Sequence, residues 1–357
     1  MYRFNSIDYD ILMHPKLDLK KLYVELTSLC NYSCKLCFRQ SFTEPLGHMS
    51  RDLFKKLLKD IDDLPEIEWV VIGGIGEPLF HPDFRYFVTE VKKKNLKISI
   101  STNGSLINDE MINFLIDIGV ERVIFSLETG DIGHKWNRKI IHTLGELIRK
   151  RNLKKSGKPV LGIEFVLTKQ NVKDLPKIID LCREKEVDNI ILTNLLPVHD
   201  KLVGFSLYEN PDEHIHYVKE FVKNTTIRFN LQIPEFTLLT ERHCQFVEKN
   251  AAVIRWDGEI APCYRFLHDS IEIVYGRKKV IFHKSFGNIL EKSLKSIWIS
   301  KEYAFFRFKV KNALFPSCTD CKFRDGCHFA MTTEEDCWGN SPSCADCLWW
   351  RGIIVCP

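Results

Sequence analysis

The chain has 357 residues, of which 45% are hydrophobic, so it can bury a sizeable core and is long for one compact domain. A net charge of +4 is too small to indicate nucleic-acid binding, and no apolar run is long enough to span a membrane. The amino terminus lacks the apolar core of a signal peptide, so we expect a cytoplasmic protein. Thiols stay reduced there, and the 13 cysteines therefore indicate metal ligation rather than disulfides.

The hydrophobic pattern predicts strands that alternate with helices along the first part of the chain. The predicted strands are 21–27, 69–72, 96–101, 122–127, 160–167 and 189–195, and the predicted helices are 52–62, 83–94, 109–118, 136–153 and 175–185. Such alternation is typical of parallel βαβ units, and a complete (β/α)8 barrel takes about 250 residues. The predicted fold class is therefore α/β, a partial (β/α)6 TIM-like barrel with a small cysteine-rich C-terminal domain.

The cysteines are distributed unevenly along the chain, which indicates a domain boundary. Three lie within residues 30–37, Cys182 stands alone in a predicted helix, and the other nine follow from residue 244 onward. Cys182 has apolar neighbours and is interpreted as a core thiol. The predicted segments are an N-terminal extension at 1–20, the barrel at 21–200, a bridging segment at 201–240 and the cysteine-rich domain at 241–357.

The first cysteine motif follows the first predicted strand directly, as Cys30-x-x-x-Cys34-x-x-Cys37. Three thiolates can bind three irons of a cubane cluster, whereas an electron-transfer cluster has four protein thiolates. The fourth iron is then open, and an open metal position is where chemistry takes place. The amine and carboxylate of an amino acid can chelate it. A zinc site or a chance group of thiols is the alternative at this point.

This motif, in the context CNYSCKLCF, resembles the CxxxCxxC signature of radical S-adenosylmethionine (SAM) enzymes. The resemblance implies that Cys30, Cys34 and Cys37 hold a [4Fe–4S] cluster whose open iron binds the methionine part of SAM. It also implies that Phe38 lies near the adenine. The reaction implied is reductive cleavage of SAM to a 5′-deoxyadenosyl radical, which abstracts hydrogen. The electron would come from a ferredoxin- or flavodoxin-type donor.

A glycine-rich turn ends the second predicted strand, as in the same family. It reads Gly73-Gly74-Ile75-Gly76-Glu77-Pro78, although the family form often lacks the isoleucine. Bare backbone can approach the SAM amine closely and offer carbonyl acceptors. A dinucleotide-binding loop is the alternative, but leucine replaces its third glycine and Pro78 cannot donate an N–H to phosphate.

Polar residues also end the later predicted strands. The family pieces S-x-N-G and S-x-D/E resemble Ser101 with Asn103 and Ser126 with Glu128, which implies contacts with the ribose and the methionine carboxylate region. An Asn-Gly pair alone favours an ordinary turn. Further candidates for adenine or ribose contacts, for which a cap or turn role is an equal alternative, are Thr168, Asn171 and Asn194.

The second cysteine group resembles the SPASM extension of radical SAM enzymes, which carries one or two auxiliary [4Fe–4S] clusters. The ligand candidates are Cys244, Cys263, Cys318, Cys321, Cys327, Cys337, Cys344, Cys347 and Cys356. Nine thiols supply eight ligands and one spare. The spacing after Cys327 departs from the family pattern, so the division between clusters is open.

The preferred division places the three cysteines of the C-x-x-C-x5-C motif on one cluster, with a late cysteine as the fourth ligand. These three are Cys318, Cys321 and Cys327, and the other cluster then takes Cys244, Cys263 and Cys337. Zinc is the alternative, because two C-x-x-C pairs in this region have the spacing of a zinc ribbon. Tyr264, next to Cys263, is interpreted as a packing residue, and no residue is assigned as a catalytic acid or base.

The substrate is predicted from two longer stretches of sequence. GGIGEPLFHPDF and CWGNSPSCADCLWWRGIIVCP resemble the radical SAM maturases associated with tungsten-dependent aldehyde:ferredoxin oxidoreductases. The resemblance implies maturation of a tungsten-pterin cofactor or of its host oxidoreductase, which would be the partner. The first alternative is a SPASM-type enzyme that modifies a peptide or protein by a thioether or carbon–carbon crosslink, or by forming formylglycine. The second is a non-catalytic iron–sulfur electron carrier, which gains nothing from an open iron.

Overall fold

A nine-stranded sheet forms the centre of the computed structural model, which describes residues 1–5, 10–127, 135–209, 213–226 and 229–356. Up to residue 194 the elements are β1 (Tyr2–Asn5), β2 (Asp10–Met13), β3 (Lys21–Val24), α1 (Arg51–Ile61), β4 (Trp69–Ile72), α2 (Phe84–Lys93), β5 (Lys97–Thr102), α3 (Asp109–Asp117), β6 (Arg122–Leu127), α4 (Lys135–Leu153), β7 (Val160–Leu167), α5 (Leu175–Glu184) and β8 (Asn189–Asn194). They are followed by α6 (Glu213–Asn224), β9 (Asn230–Gln232), α7 (Gln245–Glu248), β10 (Ala251–Ile254), β11 (Ile260–Ala261), β12 (Ser270–Val274), β13 (Arg277–Ile281), α8 (Leu294–Trp298) and α9 (Lys301–Lys311).

The strand order in this sheet is β11-β10-β3-β4-β5-β6-β7-β8-β9, and every pairing except β10 with β11 is parallel. Strands β3 to β8 are the six predicted from the sequence, and each is followed by a helix. A long loop separates β3 from its helix, α1. The predicted α/β fold with a partial barrel is confirmed. Within the part of the chain that the structure describes, no helix has the length and apolar character of a membrane span.

The sheet also receives strands from beyond residue 200, which the sequence analysis did not predict. Strand β10 pairs with β3 in parallel register, with Ala251 opposite Lys21 and Ile254 opposite Val24. All four residues of β10 are buried, because the short apolar run packs on the first barrel strand. Residues from the predicted cysteine-rich segment thus extend the barrel sheet itself.

Helices cover one face of the sheet, and their sequences set both their positions and their ends. Helix α1 begins after Ser50, whose hydroxyl accepts a hydrogen bond from the Leu53 backbone N–H at 3.1 Å. Its apolar residues recur at helical spacing, and Phe54 packs against Phe87 of α2 with ring centroids 4.3 Å apart. The other face of the sheet lines the interior of the partial barrel and holds the polar strand ends.

Residues 353–356 enter this interior and pack against its strands. Asn194 Nδ2 donates a hydrogen bond to the Ile353 carbonyl at 2.9 Å, and the Val355 N–H donates to Thr193 Oγ1 at 2.9 Å. Ile353 has no exposed surface, and Val355 clusters with Ile124 and Ile191 from β6 and β8. This segment, called the lumen segment below, therefore forms one wall of the barrel interior.

A buried charged network also joins the barrel to the residues beyond 240. His268 is 1% exposed and bonds Glu25 Oε1 through Nε2 at 2.8 Å and Glu44 Oε1 through Nδ1 at 3.1 Å. Arg255 donates to the other Glu44 oxygen at 2.8 Å. Burial alone would lower the pKa of His268, but the two carboxylates outweigh it and raise the pKa to about 9. The imidazole is therefore charged at neutral pH and compensates the buried carboxylates.

This network predicts a stability loss in alkali. The folded pKa of about 9 lies above the ordinary value of 6.5, so the contribution is full below pH 6.5 and disappears as the pH rises through 9. By linkage, this loss amounts to up to about 3 kcal/mol of the free energy of unfolding. Denaturant unfolding of the anaerobic protein between pH 6 and 10 measures it.

His268→Gln should flatten this part of the pH profile, whereas His216→Gln, at an exposed position, should leave it unchanged. An unchanged slope in the His268 variant would show that the network does not couple to folding.

Candidate functional site

One pocket opens at the carboxyl ends of the parallel strands and brings together most of the residues predicted to bind SAM and its cluster. Those on its wall are Cys30, Cys34, Cys37, Phe38, Gly74, Gly76, Glu77, Ser101, Asn103, Ser126 and Asn194. Gly73, Pro78, Thr168 and Asn171 lie outside the wall. Glu128 falls outside the described residues. The carboxyl ends of the six parallel strands lie at the same edge of the sheet. Residues spread over 165 positions of sequence therefore meet here.

The loop after β3 carries the three cysteines, all half-buried and none in a disulfide. The Tyr32 backbone N–H points at Cys30 Sγ at 3.4 Å, and Asn103 Nδ2 donates to the same sulfur at 3.7 Å. The Cys37 N–H donates to the Cys34 carbonyl at 3.2 Å, which closes a tight turn between these two thiols. N–H donors stabilise a thiolate, so this loop suits cysteines that act in their charged, metal-binding form.

The glycine-rich turn after β4 is packed between this loop and Tyr264. Gly74 has φ +109°, and a Cβ there would lie 2.4 Å from the Tyr264 ring. A Cβ at Gly76 would lie 2.3 Å from the Thr27 carbonyl oxygen. Tyr264, which is buried, donates its hydroxyl hydrogen to the Gly73 carbonyl at 3.0 Å. The predicted packing role of Tyr264 is thus extended, because the ring supports the turn that faces the pocket.

Glu77 fixes the geometry between two strand ends. Its Oε1 accepts hydrogen bonds from the Leu79 N–H at 3.1 Å and the Thr102 hydroxyl at 2.7 Å, and its Oε2 accepts from the Asn103 N–H at 2.7 Å. The side chain is 2% exposed, and burial raises its pKa. Although Glu77 lines the pocket, its carboxylate is occupied in holding the glycine turn to the end of β5.

The three weaker candidates lie in two different environments. Thr168 and Asn171 bond each other, with the Thr168 N–H donating to Asn171 Oδ1 at 2.8 Å and the Asn171 N–H to Thr168 Oγ1 at 3.2 Å. They form the turn that was the alternative expectation, away from the pocket wall. Asn194 lies on the wall at 2% exposure, and its Oδ1 has no hydrogen-bond partner within the described ranges.

The auxiliary cysteines fall into two groups of four neighbours. In the first, burial and then the nearby charges of Cys347 and Cys244 raise the pKa of Cys263, and Cys347, Cys263 and Cys244 do the same to Cys344. The thiols of this group are Cys244, Cys263, Cys344 and Cys347.

The second group gathers around the loop that follows α9. Burial raises the pKa of the Cys337 thiol, and the neighbouring charges of Asp336, Cys327 and Cys321 raise it further. Cys337 in turn raises the pKa of Cys318, whose main cause is again burial. The thiols of this group are Cys318, Cys321, Cys327 and Cys337.

This grouping differs from the division expected from spacing. Cys337 was assigned with Cys244 and Cys263, but it lies with Cys321 and Cys327. The reason is the chain path, since Cys344 and Cys347 return beside Cys263 while Cys337 stays in the loop region. No set of three or more His, Cys, Asp or Glu side chains within the described residues is close enough to hold a single metal ion.

Cys356 is also among the expected ligands, and its thiol lies on the wall of the pocket. Trp349 Nε1 donates a hydrogen bond to Cys356 Sγ at 3.0 Å, and Glu164 of β7, which lines the same pocket, has a larger charge effect on this thiol than Lys21 or Cys347. Burial raises the pKa of Glu164 to about 7 and that of Cys356 to about 12. The sequence reasoning missed Glu164, although an acidic residue within the apolar strand VLGIEFVL was a usable signal.

The donor atoms described above fit the iron–sulfur clusters and the SAM molecule that the sequence leads us to expect. Three half-buried thiols share one wall, N–H donors reach a sulfur, and two glycines of the turn after β4 lie where a Cβ has no room. A cubane spreads its thiolates more widely than a single ion does, so each group of four neighbouring thiols suits a cluster.

Two family models match the chain. One, described as the Radical SAM superfamily, covers residues 24–182, and the other, SPASM, an iron-sulfur cluster-binding domain, covers residues 244–322. The structure of Streptococcus suis SuiB bound to S-adenosylmethionine has a TM-score of 0.60 at 18% identity, covering 87% of this chain and 73% of that one. Native anSMEcpe with bound AdoMet has a TM-score of 0.60 at 18% identity, covering 93% and 94%. These likenesses show a shared fold.

Two curated relatives match over most of their length. Fe-coproporphyrin III synthase of Methanosarcina barkeri is 26% identical over 365 residues, 93% of this chain and 90% of the relative. The tungsten-containing aldehyde ferredoxin oxidoreductase cofactor-modifying protein of Pyrococcus furiosus is 44% identical over 346 residues, 95% of this chain and 97% of the relative. The chain therefore belongs to the family of that cofactor-modifying protein within the radical SAM superfamily, whose members are enzymes that use a [4Fe–4S] cluster with SAM, here with auxiliary iron–sulfur clusters in the SPASM domain.

Proposed function

We propose that this enzyme modifies the cofactor of a tungsten-containing oxidoreductase by radical chemistry. The observation that carries the proposal is the 44% identity to the Pyrococcus furiosus cofactor-modifying protein over 95% of this chain. The match spans both the barrel and the cysteine-rich region, so it includes the residues that shape the pocket. The peptide-modifying alternative also fits a SPASM domain, but the structures solved with a peptide share only the fold with this chain, at 18% and 19% identity.

In this proposal Cys30, Cys34 and Cys37 hold the cluster that binds SAM. When bound and reduced, that cluster supplies the electron that cleaves SAM to methionine and a 5′-deoxyadenosyl radical. The chain's own residues bind and orient SAM. The glycine turn offers backbone carbonyls to the methionine amine, and Phe38 offers an aromatic surface to the adenine.

The polar strand ends complete the SAM site. Ser101, Asn103 and Ser126 line the same wall and face the ribose and the methionine carboxylate in this assignment. Glu77 acts through Asn103, because its carboxylate fixes the backbone that presents this side chain. Such pre-positioned groups hold the reacting bond in place and exclude water from the radical.

The two groups of four auxiliary thiols each hold one [4Fe–4S] cluster in this proposal. None of the 13 cysteines is in a disulfide, which supports a reducing compartment, and we assign the protein to the cytoplasm. A ferredoxin- or flavodoxin-type protein would deliver the electron. A cluster ligand set of this kind also contributes folding free energy, because the unfolded chain has no preformed site.

A tungsten oxidoreductase isolated from cells that lack this protein tests the substrate. Incubated with the reconstituted enzyme, SAM and dithionite, it should gain a mass change in its extracted cofactor, and 5′-deoxyadenosine should rise above the level without substrate. Mass spectrometry of the cofactor is the readout, with Cys34→Ala as the inactive control. An unchanged cofactor together with turnover of a short precursor peptide would favour peptide modification instead.

Cys34→Ala should abolish 5′-deoxyadenosine formation, lowering it at least a hundredfold, because two thiolates do not hold the cluster that binds SAM. Chromatography after incubation with dithionite and SAM measures the product. Cys182→Ala is the matched control, since this thiol is fully buried in α5 among apolar residues. Activity retained by the Cys34 variant would exclude the assigned ligand set.

Iron content tests the division of the auxiliary ligands. The intact protein should contain about twelve irons in three cubanes. Cys318→Ala and Cys337→Ala should each lose about four, and their double variant should lose no more, because both serve one cluster. Combining Cys337→Ala with Cys344→Ala should lose about eight, and a loss of only four from this pair would refute the division.

A further inference from the structure

The lumen segment places a thiol inside the pocket assigned to SAM. Cys356 lines the same pocket as Cys30, Cys34 and Cys37. Glu164, from the middle of β7, also lines it. Eleven cysteines are accounted for by the three proposed ligand sets, and Cys182 is buried in the helix layer. Cys356 is therefore the one thiol of the 13 that faces the reaction pocket without a ligand role.

The position of this thiol is built into the fold. The Trp349 indole N–H donates to its sulfur at 3.0 Å, and the preceding Val355 N–H bonds Thr193 Oγ1 at 2.9 Å. Asn194 Nδ2 holds the Ile353 carbonyl at 2.9 Å. Because the indole hydrogen bond uses a sulfur lone pair, the S–H hydrogen stays available to a molecule in the pocket.

Two polar groups on the wall of the same pocket lack partners among the residues that the structure describes. Asn194 is 2% exposed, and its Oδ1 has no hydrogen bond within the described part of the chain. Glu164 lines the pocket and makes no hydrogen bond or ion pair with any described residue. A buried polar atom without a partner is costly, so Asn194 Oδ1 indicates a bound molecule with its own donors at this place, and the half-buried Glu164 carboxyl offers that molecule a second acceptor. The thiol thus borders the position of the substrate.

We propose that Cys356 donates a hydrogen atom to a carbon radical in this pocket. The S–H bond breaks and a C–H bond forms, which leaves a thiyl radical, and the step is downhill because thiol S–H bonds are weaker than most C–H bonds. The thiyl radical then takes one electron from the ferredoxin- or flavodoxin-type donor and one proton from Glu164, which restores the thiol. Glu164 regains its proton from water. The inference rests on the proposed radical cleavage of SAM.

The 5′-deoxyadenosyl radical itself is the probe, so no substrate is needed. The reconstituted enzyme is incubated in D2O with SAM and dithionite, without added thiols, and the 5′-deoxyadenosine is analysed by mass spectrometry. The exchangeable thiol of Cys356 then carries deuterium, which passes to the 5′ carbon and stays there. We expect most of the product to carry one deuterium, since dithionite returns the electron to the thiyl radical.

Cys356→Ala and Cys356→Ser should lower the deuterated fraction at least tenfold, because an alanine has no exchangeable hydrogen and a serine O–H bond is too strong to donate one. Cys182→Ala should match the unmodified enzyme. Iron content and the change in the reduced cluster's EPR signal on adding SAM establish that each variant is folded and loaded.

Equal deuterium in the Cys356 variants and the unmodified enzyme would overturn the proposal, as would product without deuterium from the unmodified enzyme. Complete absence of 5′-deoxyadenosine from the unmodified enzyme would refute the radical cleavage of SAM on which it rests.

Discussion

The site depends on the close approach of bare backbone at the ends of two neighbouring strands. Gly76 lies so close to the Thr27 carbonyl that a side chain at this position would have no room, and Gly74 lies against the Tyr264 ring. This contact brings the cysteine loop after β3 and the polar end of β5 to one wall, with Glu77 bonded to both turns around it. A methyl group at Gly76 would push the turn away from the cysteine loop, and one at Gly74 would displace the Tyr264 ring. Positions of this kind need glycine for space as well as for backbone conformation.

The barrel and the residues beyond 240 pack together at this pocket. Strand β10 continues the barrel sheet, the His268 network neutralises carboxylates on the barrel side, and the lumen segment packs against β8. Burying a charged imidazole between two carboxylates costs desolvation, so the geometry must be kept for the network to stabilise the junction. The cysteine-rich region therefore shapes the reaction pocket as well as carrying its own clusters.

Local patterns predicted the parts of the molecule that local physics determines. The six parallel strands follow from short apolar runs between helices, and the first cysteine motif lies within eight residues of sequence. The missing parts depend on contacts between distant residues. Four apolar residues at 251–254 do not reveal that they pair with β3, and spacing alone does not reveal that Cys337 stays apart from Cys344. Glu164 and Cys356 are 192 positions apart, so only the folded chain brings them together.

The hydrogen bond of the Tyr264 hydroxyl affects how exposure to oxygen damages the SAM pocket. Tyr264 directly follows Cys263 and supports the glycine turn through the Gly73 carbonyl. Oxygen that destroys the auxiliary cluster assigned to Cys263 would release Cys263 from the metal. The neighbouring Tyr264 ring would then lose its fixed position. Damage in the cysteine-rich region would then reach the SAM pocket through one phenol, even while the cluster at Cys30 is intact.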